Sequence, residues 1–364
     1  MADRPRILVV VGTRPEGIKL APVVHALQAH ADAVETRVAL TGQHTDLLDQ
    51  VLEVFALPVD WDLGIMREGQ DLYDVAQGCL TGLRPVLGAY RPDLVLVQGD
   101  TATVLFAALA AFFERIRVGH VEAGLRSGDK WQPYPEEVFR KLAGGVADLH
   151  FAPTRQAREN LLREGVPADQ VYLTGNTVVD ALLGIAAQDR PVSNPALREA
   201  LAEGRRLVLV TAHRRESFGA PLREIFQAIR TLADRHTDTV FLYPVHPNPN
   251  VRGPAEELLS GHPRIRLTAP LDYADLAAAL RRATLVLTDS GGIQEEAPSF
   301  GTPVLVLREV TERPEGVRAG VARLVGTGRD RILQAADELL SDETARRAMA
   351  TARNPYGDGQ AGRR

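Results

Sequence analysis

Short, continuously apolar segments recur along the 364-residue chain, and stretches of helical periodicity separate them. Strands in which valine and leucine follow one another without polar alternation are typical of parallel sheets covered on both faces. The expected strands are residues 7–11, 36–40, 94–98, 118–121 and 149–152 in the first half, and residues 207–211, 240–243, 265–267, 285–288 and 304–307 in the second. Helical periodicity is clear at residues 101–114, 222–235 and 273–282. The pattern predicts an α/β protein.

The number of strands favours two domains. A chain of this length exceeds one typical hydrophobic core, and about five strands in each half suit two doubly wound sheets better than one eight-stranded barrel. The polar, proline-containing segment GIAAQDRPVSNP at 184–195 is the expected linker. We therefore expect an N-terminal domain at 1–185 and a C-terminal domain at 186–364, with their sheets facing a shared cleft.

Composition excludes several classes of protein. A net charge of −5 and a pI near 6.0 argue against a nucleic-acid-binding protein. The single cysteine, Cys79, forms no internal disulfide and fits a reducing compartment. The first apolar run is too short to span a membrane and lacks the features of a signal peptide. We expect a cytoplasmic protein without a membrane partner.

The segment LVLTDSGGIQEEAPSFGTP at 285–303 carries the clearest site signal. A buried strand ends in Ser290-Gly291-Gly292, and a helix-compatible stretch follows at once. Glycines allow a close approach of the backbone, and the amides of a first helical turn can point at a phosphate. Glu295 and Glu296 follow in the first two turns, where acidic side chains suit the positive end of a helix. The alternative interpretation is an ordinary strand–turn–helix corner.

Polar groups follow nearly every predicted strand, at the edge where ligands bind in such folds. The cations suit a diphosphate, and they are Arg14, Lys19, His213, Arg214 and Arg215. The carboxylates suit general acid–base chemistry, and they are Asp100, Glu122, Glu136 and Glu137. Each has a structural alternative: Asp100 as a helix N-cap, Glu122 as a satisfied carboxylate, His213 as a core histidine. No spacing indicates a metal site, a Walker lysine or a nicotinamide-binding motif, so we expect no cofactor.

Taken together and in order, the motifs resemble those of the non-hydrolysing bacterial UDP-N-acetylglucosamine 2-epimerases. The matching segments are GTRPEGIKLAPVV (12–24), QGDTATVLFAALAAF (98–112), GHVEAGLRSGD (119–129), PYPEEVFR (133–140), LTGNTVVDAL (173–182), VTAHRRESFG (210–219), YPVHPNPNVR (243–252), LTDSGGIQEEAPSFGTPVLVLRE (287–309), TERPEGVRAG (311–320) and NPYGDGQA (354–361). The resemblance covers nearly the whole chain and implies two Rossmann-like domains in a glycosyltransferase-B-type architecture.

The resemblance also implies residue roles. UDP would be bound by Arg14, Lys19, His213, Ser290, Gly291, Gly292, Glu296 and Arg313, with Glu296 on the ribose. The acid–base carboxylates would be Asp100, Glu122 and Glu136, with Arg140 and His213 also tied to activity. A second, regulatory UDP-N-acetylglucosamine pocket would use Gln43, His44, Arg67, Arg214 and His246 and adjoin the substrate through Glu136.

The implied reaction is reversible inversion at C2 of UDP-N-acetylglucosamine, giving UDP-N-acetylmannosamine. UDP would be eliminated to leave 2-acetamidoglucal and then added back after protonation from the other face. UDP-N-acetylglucosamine would be substrate and allosteric activator of a homodimer. Alternatives are a hydrolysing 2-epimerase, a 2-epimerase of a diacetamido sugar nucleotide, a glycosyltransferase and a nucleotide-sugar sensor.

Two departures from the family pattern stand out. Phe139 occupies a position that is commonly asparagine in the family, beside the predicted catalytic helix, where it could reshape the sugar pocket or the regulatory pocket. The sequence after residue 350 also lacks the terminal apolar helix that usually crosses back onto the first domain. Either that crossover helix is missing or the chain is truncated.

Overall fold

The computed structural model describes residues 4–42, 46–65, 67 and 69–364. Within these ranges the chain forms two compact units. Unit 1 contains the described residues up to Ala181 together with Tyr356–Arg364, and unit 2 is Leu182–Pro355. No helix in the described ranges combines the length and the apolar character needed to cross a membrane.

Unit 1 is built around a seven-stranded sheet whose described strand pairs are all parallel. Its strands are β1 Arg6–Val11, β2 Glu35–Leu40, β3 Trp61–Asp62, β4 Leu94–Gln98, β5 Arg117–Val121, β6 Leu149–Ala152 and β7 Val171–Leu173. Its helices are α1 Arg14–Gln28, α2 Asp46–Val54, α3 Leu72–Tyr90, α4 Ala102–Phe113, α5 Glu136–Val146, α6 Arg155–Arg163 and the start of α7 Thr177–Ala187. The strand order is β3-β2-β1-β4-β5-β6-β7, so the order reverses between β1 and β4.

Unit 2 contains a six-stranded parallel sheet. Its strands are β8 Arg206–Thr211, β9 Thr239–Pro244, β10 Ile265–Thr268, β11 Ala283–Thr288, β12 Val304–Val306 and β13 Ala322–Leu324. Its helices are α8 Pro195–Ala202, α9 Ala220–Arg235, α10 Pro249–Leu259, α11 Tyr273–Arg282, α12 Gly291–Glu296, α13 Pro314–Ala319, α14 Arg329–Ser341 and α15 Glu343–Ala350. The order β10-β9-β8-β11-β12-β13 reverses between β8 and β11.

The predicted α/β class and the two doubly wound sheets are confirmed. Apolar strands form the centre of each sheet because helices cover both faces. In β1, for example, apolar residues follow one another without polar alternation, and residues 7–11 are all buried. The sequence patterns missed β3, β7 and β13. All three are edge strands of two or three residues, and none lies in an apolar run of four residues or more.

The division between the units differs from the expected linker. Helix α7 runs from Thr177 to Ala187 and contains the division after Ala181. Its apolar side chains continue past that point, because Leu182 and Ile185 are both buried. The polar, proline-containing stretch that we expected to separate the domains therefore begins as a helix.

The end of the chain belongs to unit 1 rather than to unit 2. The carbonyl of Tyr356 accepts a hydrogen bond from the Asn176 amide at 2.7 Å. The Gly362 amide donates to Asp180 at 2.8 Å, and the Arg364 guanidinium donates to the Thr174 carbonyl at 2.9 Å. A short 3₁₀ turn at Ala361–Arg363 lies in this segment. The segment Tyr356–Arg364 thus belongs to unit 1.

Gly124 provides a test of the packing in unit 1. Its φ is +89°, and a Cβ at this position would lie 2.2 Å from the carbonyl oxygen of Ala157. Gly124→Ala should lower the free energy of unfolding by roughly 2–4 kcal/mol, because it combines left-handed strain with overlap against backbone. Urea unfolding measures the change.

Gly88→Ala is the matched control. Gly88 lies on an exposed part of α3, and apart from its chain neighbours and the adjacent backbone of α3, no atom of the described residues comes within 4 Å of the added Cβ. Alanine should therefore stabilise the chain by about 0.5–1 kcal/mol. Equal stability of the Gly124→Ala variant and the wild type would contradict the described packing.

Candidate active site

Predicted site residues lie where the strand order of each sheet reverses. In unit 1, Arg14 is the first residue of α1 after β1, and Asp100 follows β4. In unit 2, His213 follows β8 and Ser290 follows β11. The carboxyl ends of strands at such a reversal are the usual ligand-binding position in open α/β sheets. Each unit therefore presents its own set of candidate groups.

Glu122 is held in a strained conformation at the end of β5. Its φ of +63° lies in the left-handed region, which costs a non-glycine residue about 1–3 kcal/mol and is concentrated at functional sites. The side chain is nearly buried, and its carboxylate accepts hydrogen bonds from Lys19 Nζ at 2.5 Å, Asn176 Nδ2 at 3.1 Å and Gln98 Nε2. Three donors stabilise the ionised carboxylate.

Asp100 lies close to this group. It forms an ion pair with Arg140 of α5. Burial raises the pKa of Asp100 above its usual value and the charge of Glu122 raises it further, while Arg140 and Lys19 lower it. The N-cap of α4 is Thr101, so the alternative interpretation of Asp100 as the cap is wrong. Its carboxylate is instead directed to a charged partner.

Helix α5 contributes Glu136 and Arg140. Glu136 is the first residue of the helix, and its Oε2 is buried without a hydrogen-bond partner among the described residues. The next residue, Glu137, is fully buried and accepts hydrogen bonds from the amides of Ser127 and Gly128 at 3.0 and 3.3 Å. Glu137 thus holds the preceding loop, and Arg140 contacts it at 3.3 Å as well as contacting Asp100.

Phe139 packs against an aromatic side chain of α4. Its ring meets Phe106 of α4 edge-on, with 6.0 Å between the ring centroids. An aromatic contact therefore joins α4 and α5 at the position where this sequence departs from the family pattern.

Three functional candidates escaped the sequence analysis: Glu16, Gln98 and Asn176. The two amides donate to Glu122 and are buried, although Gln98 lies at the end of an apolar strand and Asn176 inside a recognised motif. Glu16 is buried, and burial raises its pKa to about 7. The Thr13-x-x-Glu16 spacing before a helix is that of a capping box and could have identified it.

In unit 2, Asp289 organises the loop that carries His213 and Arg214. Asp289 is fully buried, and its Oδ2 accepts the amides of His213 and Arg214 at 2.6 and 2.7 Å. The His213 ring lies 3.6 Å from Asp289 Oδ1 and stacks on His246, with ring centroids 5.4 Å apart. Burial lowers the pKa of His213 and Asp289 opposes this. Half-exposed and stacked, His213 is not the core histidine of the alternative interpretation.

The Ser-Gly-Gly turn precedes a short helix. α12 begins at Gly291, and the amides of a first turn have no acceptor within their own helix. Glu295 and Glu296 are the last two residues of α12, so the prediction that they face its positive end is wrong. Glu295 instead forms an ion pair with Arg313, and Glu296 accepts a hydrogen bond from the Tyr273 hydroxyl at 3.3 Å.

The residues predicted for a regulatory pocket are divided between the two units. Gln43 and His44 lie outside the described residues. Arg67 lines a cavity of about 560 Å³ in unit 1 that is also bordered by Gln70, Asp74 and Gln77. Arg214 and His246 belong to unit 2, where Arg214 pairs with Glu312 at 3.3 Å.

Comparison with known proteins identifies the family. Residues 25–364 match the family model described as UDP-N-acetylglucosamine 2-epimerase. The UDP-N-acetylglucosamine 2-epimerase of Escherichia coli K12 is 50% identical over 363 residues, 98% of this chain and 96% of its own. That of Bacillus subtilis 168 is 46% identical over 359 residues, covering 99% of this chain and 93% of its own.

Solved structures agree with these relatives. The crystal structure of the UDP-GlcNAc 2-epimerase from Neisseria meningitidis bound to UDP-GlcNAc has a TM-score of 0.88 at 41% identity, covering 98% of this chain and 97% of its own. The enzyme from Methanocaldococcus jannaschii in complex with UDP-GlcNAc and UDP has a TM-score of 0.79 at 32% identity, with the same coverage of each chain. The resemblance read from the motifs is confirmed, and this chain belongs to the UDP-N-acetylglucosamine 2-epimerase family.

Proposed function

We propose that this protein interconverts UDP-N-acetylglucosamine and UDP-N-acetylmannosamine by eliminating and re-adding UDP. The observation that carries the proposal is the pair of carboxylates in unit 1, the partly buried Asp100 and the buried Glu122, each matched to a cation. Family membership supplies the substrate class. The pair supplies one group able to exchange a proton at a sugar carbon, Asp100, and a second carboxylate, Glu122, whose charge acts on it.

The chemistry demands such groups, because the C2 hydrogen of the sugar has no adjacent carbonyl to acidify it. In the proposed forward step a carboxylate takes the C2 proton while the bond between C1 and the UDP oxygen breaks. This leaves 2-acetamidoglucal, UDP and a protonated carboxyl group. In the return step C2 receives a proton on its opposite face, and a UDP oxygen rebonds to C1. Each positioned acid or base contributes about 10²–10⁴ in rate.

The two carboxylates are suited to different tasks. Asp100, whose pKa is raised by burial, exchanges a proton closer to neutral pH than an ordinary aspartate does. Glu122 accepts three hydrogen bonds and therefore favours its ionised form. We propose Asp100 as a proton-exchanging group and Glu122 as a permanent negative charge that orients it. Glu136, whose buried Oε2 has no hydrogen-bond partner in the part of the chain that the structure describes, is the candidate for the second proton-exchanging group.

Unit 2 is the proposed holder of UDP. The amides of Gly291 and Gly292 would bind the diphosphate, with Ser290 and His213 beside them, and Glu296 would bind the ribose. Arg14 of unit 1 remains a candidate phosphate ligand. Lys19 pairs with Glu122, so we propose that it acts chiefly on that carboxylate. Arg313 would contribute to UDP binding through its ion pair with Glu295.

Regulation and assembly follow from the family only as proposals. We propose a second UDP-N-acetylglucosamine site that uses Gln43, His44, Arg67, Glu136, Arg214 and His246. We propose a homodimer that acts in the cytoplasm, consistent with a single, buried cysteine. The stacking of His246 on His213 would connect the regulatory set to a residue tied to activity.

Exchange of hydrogen with solvent tests the reaction. Incubation with UDP-N-acetylglucosamine in D₂O, followed by NMR, should give deuterium at C2 and a manno product that still carries UDP. Release of free UDP in step with N-acetylmannosamine would indicate a hydrolysing enzyme instead. Absence of exchange at C2 would contradict the proposed function and favour a transferase or a sensor.

Asp100→Asn tests the role of the Asp100 carboxyl group, whose pKa is raised. Asparagine keeps the size of the side chain and can accept a hydrogen bond from Arg140, but it cannot take up a proton. Deuterium uptake at C2 should fall by about 10²-fold or more, while UDP affinity measured by calorimetry should stay near that of the wild type.

The matched control is Asp169→Asn, on an exposed 3₁₀ turn of unit 1. This variant should exchange hydrogen at C2 at the wild-type rate. Wild-type exchange in the Asp100→Asn variant would refute an acid–base role for Asp100.

A further inference from the structure

Glu16 is a buried carboxylate that the proposed reaction does not use. Its side chain is 1% exposed. Oε2 accepts the Gly12 amide at 2.6 Å, and Oε1 accepts the hydroxyls of Thr13 and Thr101 at 2.9 and 2.7 Å. Burying a carboxylate is costly unless hydrogen bonds compensate. These three bonds explain how the group is tolerated but not why an acid is present.

The hydrogen bonds of Glu16 join the ends of two neighbouring strands. Gly12 and Thr13 follow β1, whereas Thr101 follows β4 and is the residue directly after Asp100. The loop after β1 also lies close to the first turn of α4, because a Cβ on Gly12 would lie 2.3 Å from Thr103 Oγ1. A single carboxylate thus fixes the backbone on one side of Asp100.

The other side of Asp100 is also fixed. His120 Nε2 bonds the Gly99 carbonyl at 2.7 Å, and the Gly99 amide donates to the Val121 carbonyl at 3.0 Å. Burial lowers the pKa of His120 to about 4, so the ring is neutral near pH 7 and can serve as a donor to that carbonyl. Asp100 therefore sits between two residues that are each tied down by a buried side chain.

We propose that Glu16 is a positioning residue, which acts through Thr101 to hold Asp100 in its reactive orientation. The inference rests on the proposed function. The same turn of α1 carries Lys19, which pairs with Glu122 at 2.5 Å. Glu16 therefore fixes the Asp100 loop from the helix that also supplies the cation on Glu122. A displacement of about 1 Å in a catalytic group can cost on the order of 10²-fold in rate.

Protonation of Glu16 should weaken this hold. Burial raises its pKa to about 7, against the hydrogen bonds that lower it. Above that pH the ionised Glu16 carboxylate accepts hydrogen bonds from all three donors. Below that pH the added proton occupies one of the acceptor positions. From α3 the group faces Cys79, whose pKa is raised by burial to about 11 and which therefore stays neutral. From the loops after β1 and β4 it meets the amide and hydroxyls named above.

Three variants test the inference: Glu16→Gln, Thr101→Val and the double variant. Glu16→Gln should lower kcat for C2 exchange by about 10- to 100-fold while KM stays near the wild-type value. Thr101→Val should lower kcat in the same way while leaving the carboxylate in place. The double variant should be no slower than the slower single variant, because both act through one contact.

The pH profile separates positioning from a general loss of structure. The wild-type kcat should fall as pH drops through about 7, and Glu16→Gln should lose this dependence. Asp275→Asn is the control: Asp275 is another buried carboxylate that accepts two amides, those of Ser193 and Asn194. It should lower the melting temperature but keep the wild-type kcat and pH profile.

The outcomes distinguish the two proposals. Wild-type kcat and pH profile in Glu16→Gln, with exchange intact in the wild type, would overturn the positioning role and leave the proposed function standing. If Glu16→Gln does not fold, wild-type kcat in Thr101→Val overturns the role equally. If the wild type itself shows no exchange, both proposals fall.

Discussion

The contact between Lys19 and Glu122 is the interaction on which the chemistry of unit 1 depends. Glu122 occupies a left-handed backbone conformation and a nearly buried position, and both are unfavourable for a glutamate. Lys19 neutralises its charge, and two buried amides complete its hydrogen bonding. Removing one partner of such a buried ion pair typically costs about 3–5 kcal/mol. Burial raises the pKa of Asp100, and the charge of Glu122 beside it raises that pKa further.

Parallel topology explains why these groups meet. The carboxyl ends of β1, β4 and β5 are adjacent in the sheet, so the residues after each strand share one edge although the chain separates them by many residues. The C-terminal segment supports the same edge of the sheet through its contact with Asn176. Asn176, which donates to Glu122, is itself held by the Tyr356 carbonyl. The return of the chain end to unit 1 therefore supports a residue of the candidate site.

Much of the fold and part of the site could be predicted from the sequence. The central strands can be recognised in the sequence because each is a run of buried apolar residues. The edge strands β3, β7 and β13 have only two or three residues, which is too short for the sequence pattern to reveal them. Asp100 and Glu122 stand out because they follow such runs. Gln98 and Asn176 do not, because each donates to Glu122, a residue more than 20 positions away in the chain. Glu16 has local partners as well, but its link to the Asp100 loop is the distant contact with Thr101. Glu295 and Glu296 were misjudged because the length of α12 is not visible in the sequence.

The central claim is that the bond between C1 and UDP breaks and re-forms while the enzyme retains both pieces. UDP-N-acetylglucosamine labelled with ¹⁸O in the bridge between C1 and the β-phosphorus tests this directly, by ³¹P NMR of the sugar nucleotide recovered after partial reaction. The account predicts that the label moves into the non-bridging positions of the β-phosphate in step with the appearance of the manno epimer. Epimerisation with the label still wholly in the bridge would contradict it.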